Sequence, residues 1–334
     1  MNGQTDPLPL LSVRNLRKSF PIRSKGLLRR HVGTVHAVND ISFDLMPGCT
    51  LALVGESGSG KTTTARTILR AMRPTSGQVL LRVDGKSVDL ATLGGRELRQ
   101  LRTRMQMIFQ DPFSSLNPRM TVEQIVGEPL RIHRLGAGRD IRRRAVEMLG
   151  RVGMGEACLS RYPHEFSGGQ RQRIGIARAL IMNPALVVAD EPVSALDVSV
   201  QAQVINLLEQ LQRELNLTYL FVAHDLSVVR HISDRVAVMY AGRIVELART
   251  ESLFESPNHP YTRALLAAVP SVDPDVPLSP LEPGEVADMS NLPPGCAFAP
   301  RCPGRSVMCD RELPPLATLA DGRCVACHAC AAHR

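Results

Sequence analysis

The residues between Gly55 and Thr63 have the types and spacing needed to bind a polyphosphate. In order, they are Gly55, Glu56, Ser57, Gly58, Ser59, Gly60, Lys61, Thr62 and Thr63. An apolar run precedes them and helix-forming residues follow, so the pattern is strand, glycine loop and helix, as in a P-loop. Glycines let the backbone approach phosphates, and the helix start adds positive charge. We expect Lys61 to reach the β- and γ-phosphates and the Thr62 hydroxyl to bind Mg²⁺. The alternative is a flexible Gly/Ser loop, which would require neither the strand before it nor the helix after it.

Two adjacent carboxylates, Asp190 and Glu191, follow the apolar run 185–189. This is the sequence form of a Walker B site, in which Asp190 holds Mg²⁺ and Glu191 acts as general base on the attacking water. An unpaired acidic pair at the end of a buried strand costs too much free energy to be structural filler.

Two further apolar runs end in polar side chains. Gln110 follows Met107, Ile108 and Phe109, and its amide oxygen can coordinate Mg²⁺ or orient water. His224 follows the run 219–223. Strand ends of a parallel sheet meet at one edge, so we expect His224 to hydrogen-bond the γ-phosphate there.

A second anion-binding helix start is predicted at Ser167, Gly168, Gly169 and Gln170. Ser167 is a natural N-cap and the glycines expose amides at the start of a helix that includes 174–180. Two helix starts that can each bind a phosphate group allow two interpretations. Either the chain binds two anions, or the second start serves a nucleotide held by another copy.

The surrounding pattern is mixed α/β. Residues 9–54 indicate an antiparallel sheet built from short strands, interrupted by a basic surface loop from Pro21 to Gly33. Phe20 is a candidate for stacking on adenine, with an ordinary sheet position as the alternative. A strand at 78–83, a helix near 97–104, a helical region at 114–161 and an amphipathic helix at 200–215 follow.

Length and composition exclude several classes. The chain has 334 residues, a net charge of +8, eight cysteines and no tryptophan. Scarce aromatics argue against a stacking platform for single-stranded nucleic acid. There is neither a signal-peptide pattern at Met1 to Leu11 nor an apolar run long enough to span a membrane, so we expect the chain to stay in the cytoplasm.

The motifs occur in one order: P-loop, Gln110, Ser167 to Gln170, Asp190-Glu191, the loop Ser194 to Asp197, and His224. Together they resemble the ATP-binding cassette (ABC) ATPases over Leu11 to Ala248. The resemblance implies an α/β P-loop cassette with a RecA-like core, an antiparallel β subdomain and an α-helical subdomain. It also implies a head-to-tail dimer in which Ser167 to Gln170, with Asp197, completes the site across the interface.

A finer resemblance lies outside these motifs. Segments at 110–121, 128–130 and 190–199, together with His259-Pro260-Tyr261-Thr262 and a cysteine-rich tail, are similar to the oligopeptide/dipeptide permease ATPases, including nickel and glutathione relatives. This implies a peripheral subunit on the cytoplasmic face of the cell membrane. Its partners are two transmembrane permease subunits, a second ABC ATPase and, indirectly, an extracytoplasmic solute-binding protein, with no nucleic acid.

The predicted domains are a cassette at 9–248, with its helical subdomain at about 112–180, a helical and Pro-rich linker at 249–295, and a Cys-rich tail at 296–334. Crowded cysteines in a reducing compartment favour metal chemistry over disulfides. Because the tail has too few apolar residues for a core, metal would supply its folding energy. The family resemblance implies Cys296, Cys302, Cys309 and Cys327 as ligands of a [4Fe–4S] cluster, with Cys324 or Cys330 as alternates. Four thiolates also suit Zn²⁺.

Two other functions compete with ATP-driven import. One is an ABC-type ATPase acting on nucleic acid or ribosomes, favoured by the positive charge but not by the single P-loop. The other is a metal- or redox-regulated ATPase in which the cysteine tail is the sensor.

Overall fold

The structure, a computed structural model, describes residues 8–23, 31–111, 115–268 and 287–331. Parts of the predicted basic loop, of the start of the helical region and of the Pro-rich linker therefore lie outside the described residues. The chain forms two compact units. The first comprises 1–11, 45–50 and 81–221, and the second comprises 12–44, 51–80 and 222–334.

The elements are numbered in chain order. Among the described residues the strands are β1 Leu11–Arg23, β2 His31–Leu45, β3 Thr50–Val54, β4 Ser76–Val83, β5 Lys86–Asp89, β6 Met105–Ile108, β7 Leu186–Asp190, β8 Thr218–Val222, β9 Arg235–Tyr240, β10 Arg243–Arg249, β11 Ala317–Thr318 and β12 Cys324–Val325. The α-helices are α1 Lys61–Ile68, α2 Gly95–Leu101, α3 Val122–His133, α4 Gly138–Arg151, α5 Gly168–Leu180, α6 Val198–Leu215, α7 Leu226–Ile232, α8 Thr250–Glu255, α9 Pro260–Ala267, α10 Val307–Arg311 and α11 His328–Ala331.

The first unit carries a parallel strand pair and a helical cluster. β6 and β7 are parallel, with Ile108 opposite Ala189, and β8 lies on the other side of β7. The helix α3 packs against α4 and α5 through buried residues that include Val122, Ile125 and Leu130. α3 and α4 lie within the region 114–161 that was predicted to be helical, and the apolar spacing of the helices explains why they pack on one another.

In the second unit, strand order is β11-β12-β10-β9-β3. β3 is parallel to β9, and β10 is antiparallel to both β9 and β12. All five residues of β3 are buried, as expected for a strand covered on both faces. The parallel strand β3 leads directly into the glycine loop.

The strands β1 and β2 are antiparallel, as predicted. Ser12 Oγ donates to Asp44 Oδ1 at 2.6 Å, and Ser19 Oγ lies 3.1 Å from His36 Nδ1, so the two strands run in opposite directions. Two details were wrong. β2 is one strand through Asp40, whose φ of 67° marks an irregularity, and strand structure extends into both ends of the expected loop, to Arg23 and from His31. Backbone pairing tolerates exposed basic side chains, so charge alone did not indicate a loop.

The cysteine-rich tail joins the sheet of the second unit. Val325 and Cys324 of β12 pair with Glu246 and Leu247 of β10. Phe298 is 2% exposed and Val325 is 1% exposed, whereas Val307 and Met308 are 67% and 52% exposed, so only part of the tail's apolar surface is buried in this unit. None of the helices among the described residues has the length and apolarity needed to cross a membrane.

Candidate nucleotide-binding site

The loop between β3 and α1 requires glycine at defined positions. Gly55, Gly58 and Gly60 have φ angles of 147°, 80° and 101°, in the region that L side chains rarely adopt. A Cβ added at Gly55 would lie 2.2 Å from the Met239 carbonyl oxygen, and one at Gly60 would lie 2.2 Å from that of Ala37. The loop backbone is therefore packed closely on its neighbours, and a side chain would force it outward.

Lys61 turns back over this loop. Its Nζ donates to the carbonyl oxygens of Gly55 at 2.7 Å and Glu56 at 2.8 Å, and lies 3.4 Å from Ser59 Oγ. The side chain is 5% exposed, and Thr62 and Thr63 follow it in the first turn of α1. A buried ammonium and a helix start, with no acidic residue in that first turn, favour a bound polyanion.

His224 lies beside the same loop in the second unit. The N–H of Ala223, the residue before it, donates to the carbonyl oxygen of Leu53 in β3 at 3.2 Å. This bond places His224 near the carboxyl end of β3, where the glycine loop begins. His224 is exposed, and Asp225 caps the next helix by accepting from the Ser227 N–H at 2.8 Å.

In the first unit, Gln110 and Glu191 meet. Gln110 Nε2 donates to Glu191 Oε2 at 2.9 Å. The register explains the contact, because each residue stands two positions beyond the paired residues Ile108 and Ala189. Asp190, at the end of the fully buried β7, is 1% exposed. The predicted carboxylates thus stand at the edge where these parallel strands end.

Glu191 has a strained backbone. Its φ is 48°, a left-handed conformation that costs a non-glycine residue about 1 kcal/mol. Such strain often accompanies functional sites, where the surroundings fix a side chain in one direction.

The helix α5 begins at Gly168 rather than at Ile174, and Ser167 is its N-cap as predicted. Ser167 Oγ accepts from the Gln170 N–H at 3.4 Å, and Gln170 Oε1 accepts from the Ser167 N–H at 3.1 Å. At Gly169 an added Cβ would lie 2.5 Å from Val200 Cγ1. The capping box fixes a helix start whose first residues are glycines and whose first turn has no acidic residue. Such a helix start can bind an anion.

Two predicted contact residues stay on exposed positions. Asp197 precedes α6 without a capping hydrogen bond from its side chain, and Val198 beside it is 82% exposed. Phe20 lies on β1 with 37% of its surface exposed, and Lys18 Nζ is 4.8 Å from its ring centre. Their predicted roles in an interface and in adenine stacking are proposals.

Four of the tail cysteines influence one another electrostatically. Burial raises the pKa of Cys296, and the nearby thiols of Cys309, Cys302 and Cys327 raise it further. All eight cysteines lie among the described residues and none forms a disulfide. Across the described part of the chain, no group of three or more His, Cys, Asp or Glu side chains is arranged to hold a metal ion.

The two alternate cysteines have other contacts. Cys324 Sγ lies 3.5 Å from Thr318 Oγ1, and Cys330 Sγ donates to the Asn258 carbonyl oxygen at 3.3 Å. Burial raises the pKa of Cys330 to about 11, and Cys327 adds to that rise.

Sequence reasoning missed two residues that contact the glycine loop. Tyr261 and Arg301 both bind Glu56. Tyr261 stands in the His-Pro-Tyr-Thr segment and Arg301 directly precedes Cys302, but no spacing rule connects either residue with the loop.

Three features define the class of this protein as a P-loop ATPase. They are the glycine loop with its lysine, the buried strand that ends in carboxylates, and the second helix that starts with glycines behind an N-cap. The family profile described as "ABC transporter" matches residues 38–194. The profile "Oligopeptide/dipeptide transporter, C-terminal region" matches residues 245–309.

Whole-chain relatives agree with these profiles. The chain is 51% identical over 327 residues to the oligopeptide transport ATP-binding protein AppF of Bacillus subtilis, covering 96% of this chain and 97% of that one. It is 52% identical over 333 residues to a probable peptide ABC transporter ATP-binding protein of Sinorhizobium fredii, covering 97% and 92%. The chain therefore belongs to the ATP-binding proteins of ABC transporters, within the oligopeptide/dipeptide transporter family.

Solved structures share the cassette fold. The dimeric ATP-binding cassette MJ0796, in a post-hydrolysis state bound to ADP and Pi, is 29% identical with a TM-score of 0.62, over 72% of this chain and 98% of that one. CbiO1 of Clostridium perfringens, part of the cbiONQ transporter complex, is 28% identical with a TM-score of 0.61, over 74% and 91%. The predicted α/β ABC cassette fold is confirmed.

Proposed function

We propose that this ATPase powers import of peptides, or of a related small solute, across the cell membrane. The observation that carries the proposal is the near-complete alignment with the oligopeptide transport ATP-binding protein, in a chain whose predicted hydrolysis residues are all present. The rival role on nucleic acid or ribosomes has no comparable support.

The chain's own residues divide the work of hydrolysis. Lys61 and the first amides of α1 would bind the phosphates. Thr62, Asp190 and Gln110 would hold Mg²⁺, and the bound ion would neutralise phosphate charge. Glu191 accepts the proton of the attacking water. The Gln110 amide nitrogen donates to Glu191 and so fixes that carboxylate, while the amide oxygen would be the atom that coordinates Mg²⁺.

The second helix start supports a dimeric site. Ser167, Gly168, Gly169 and Gln170 bind the nucleotide of a partner ATPase, with Asp197 at the interface and His224 on the γ-phosphate. The support is the capped, acid-free start of α5 and the dimeric state of the similar cassette MJ0796. We propose a heterodimer with a second ABC ATPase of the same importer.

The proposed role in an importer implies further protein partners. The subunit binds two transmembrane permease subunits at the cytoplasmic face of the cell membrane, as a peripheral protein. An extracytoplasmic solute-binding protein delivers the cargo.

We further propose a [4Fe–4S] cluster on Cys296, Cys302, Cys309 and Cys327. Its support is the cysteine spacing and the proximity of these thiols, three of which raise the pKa of the fourth, Cys296, with Zn²⁺ as the alternative metal for the same cysteines. Protein purified without oxygen should contain iron and acid-labile sulfide, and protein with neither would contradict the cluster.

The test of the transport role is affinity capture of the tagged chain from native membranes in detergent, followed by mass spectrometry. We expect two multi-span membrane proteins and a second ATPase. Capture of ribosomal proteins or nucleic acid without membrane proteins would contradict the importer and leave the ATP chemistry intact.

A further inference from the structure

Glu56, the second residue of the glycine loop, is held by two residues from outside the nucleotide motifs. Its backbone N–H donates to the Tyr261 hydroxyl at 2.8 Å. Its carboxylate accepts from both terminal nitrogens of Arg301, with Nη1 3.1 Å from Oε2 and Nη2 2.9 Å from Oε1. The side chains are 7% exposed at Arg301 and 18% at Glu56, so the pair is shielded from water.

Tyr261 is itself rigidly placed. It is fully buried and its N–H donates to His259 Nδ1 at 3.0 Å at the start of α9. The buried carboxylate of Glu246 in β10 accepts from the backbone N–H groups of Asn258 and His259 at 2.8 and 2.9 Å. The tyrosine hydroxyl is therefore fixed relative to the sheet.

Arg301 reaches the loop because the tail is docked by an aromatic cluster. Phe298 lies 5.4 Å, centre to centre, from both Tyr240 and Tyr261. Arg301 follows three residues later, at the end of a 3₁₀ turn, with its guanidinium 5.7 Å from the Phe298 ring centre. Packing of Phe298 thus determines where the guanidinium points.

The contacts on Glu56 bear on nucleotide binding through Lys61. The Glu56 carbonyl oxygen is one of the acceptors of Lys61 Nζ, so a shift of Glu56 moves the phosphate-binding ammonium. An unpaired carboxylate in a loop built for polyphosphate would also repel the ligand, and Arg301 compensates this charge.

We propose that Tyr261 and Arg301 are positioning residues for the P-loop, so that docking of the cysteine-rich tail sets the affinity for ATP. The inference rests on ATP binding at this loop. It does not depend on the cargo or on any metal in the tail.

The test compares Arg301→Met with Arg305→Met in the full chain. Arg305 is a matched control because it forms the same kind of pair within the tail, with Asp310 at 2.9 Å, and is exposed. We expect Arg301→Met to raise the Kd and KM for Mg-ATP on the order of tenfold, the size of one charge-assisted hydrogen bond, with a much smaller change in kcat. The control variant should bind ATP like the wild type.

Two further variants keep the inference testable if Arg301→Met folds poorly. Tyr261→Phe keeps the ring in the aromatic cluster and removes only the acceptor, so it should also raise the Kd. In a Glu56→Gln background, Arg301→Met should add little, because its partner charge is already gone. Wild-type Kd in both Arg301→Met and Tyr261→Phe would overturn the inference, whereas a wild type that binds no ATP would refute the P-loop function itself.

Discussion

At the scale of single residues, the hydrogen bond between Gln110 and Glu191 is the most informative contact. It joins two strand ends that sequence reasoning had assigned to one site, over a distance of 2.9 Å. This hydrogen bond holds the Glu191 carboxylate in one direction. This is the geometry expected of a group that must take a proton from a positioned water.

Replacement of that base gives a direct prediction. Glu191→Gln should reduce ATP turnover by about a hundredfold or more, since general-base catalysis contributes that much, while ATP still binds. We expect the variant to accumulate as an ATP-bound dimer, visible by size-exclusion chromatography. Glu214→Gln, on an exposed position of α6, is the control, and normal hydrolysis by Glu191→Gln would refute the assignment.

A second residue-scale prediction concerns acid. Burial, and to a lesser degree Arg263, lowers the pKa of His259 from 6.5 to about 4, against a backbone hydrogen bond at Ala326 that raises it. The unfolded chain binds this proton first, so the contribution to stability is complete above pH 6.5 and falls as the pH drops toward 4. The loss should reach about 3 kcal/mol.

Denaturant unfolding at several pH values checks this expectation. His259→Asn keeps a side-chain acceptor at the helix start but does not titrate, so its stability should lose this part of the pH dependence. An identical pH profile for the variant and the wild type would contradict the prediction.

At the scale of elements, two helices begin with the same capping box. Thr121 and Gln124 cap α3 as Ser167 and Gln170 cap α5. Ser167→Ala and Thr121→Ala should each cost about 1 kcal/mol of stability. Only Ser167→Ala should also slow ATP turnover and weaken ATP-dependent dimerisation, because of the two helices only α5 starts with glycines. Equal turnover in both variants would contradict a role for α5 beyond folding.

Local patterns predicted most of these elements. Some sequence signals depend only on neighbouring residues: the glycine loop, the apolar strand ends and the N-caps. These signals predict β3, β7, α1 and α5 from the sequence alone. The long β2 could not, because pairing with β1 overrides the break suggested by Asn39 and Asp40. The contact between Glu56 and Arg301 spans 245 residues, and it depends on where Phe298 packs, which no periodicity encodes.

At the scale of the whole molecule, the cysteine-rich tail is part of the sheet of the second unit. Sequence composition predicted a separate metal-dependent segment, whereas β12 pairs with β10 and Phe298 completes an aromatic cluster. The tail is therefore stabilised by the contacts of Phe298 with Tyr240 and Tyr261. Arg301 of the tail binds Glu56 of the glycine loop, so residues 245 positions apart in sequence are in direct contact.

The central claim is that ATP hydrolysis by this chain drives solute import. The most direct measurement is ATP-dependent uptake of labelled peptide by proteoliposomes that contain the captured transporter complex and its solute-binding protein. We predict uptake with the wild-type chain and none with Glu191→Gln in the same complex. Equal uptake by both, or ATP hydrolysis without uptake of any peptide tested, would contradict the claim.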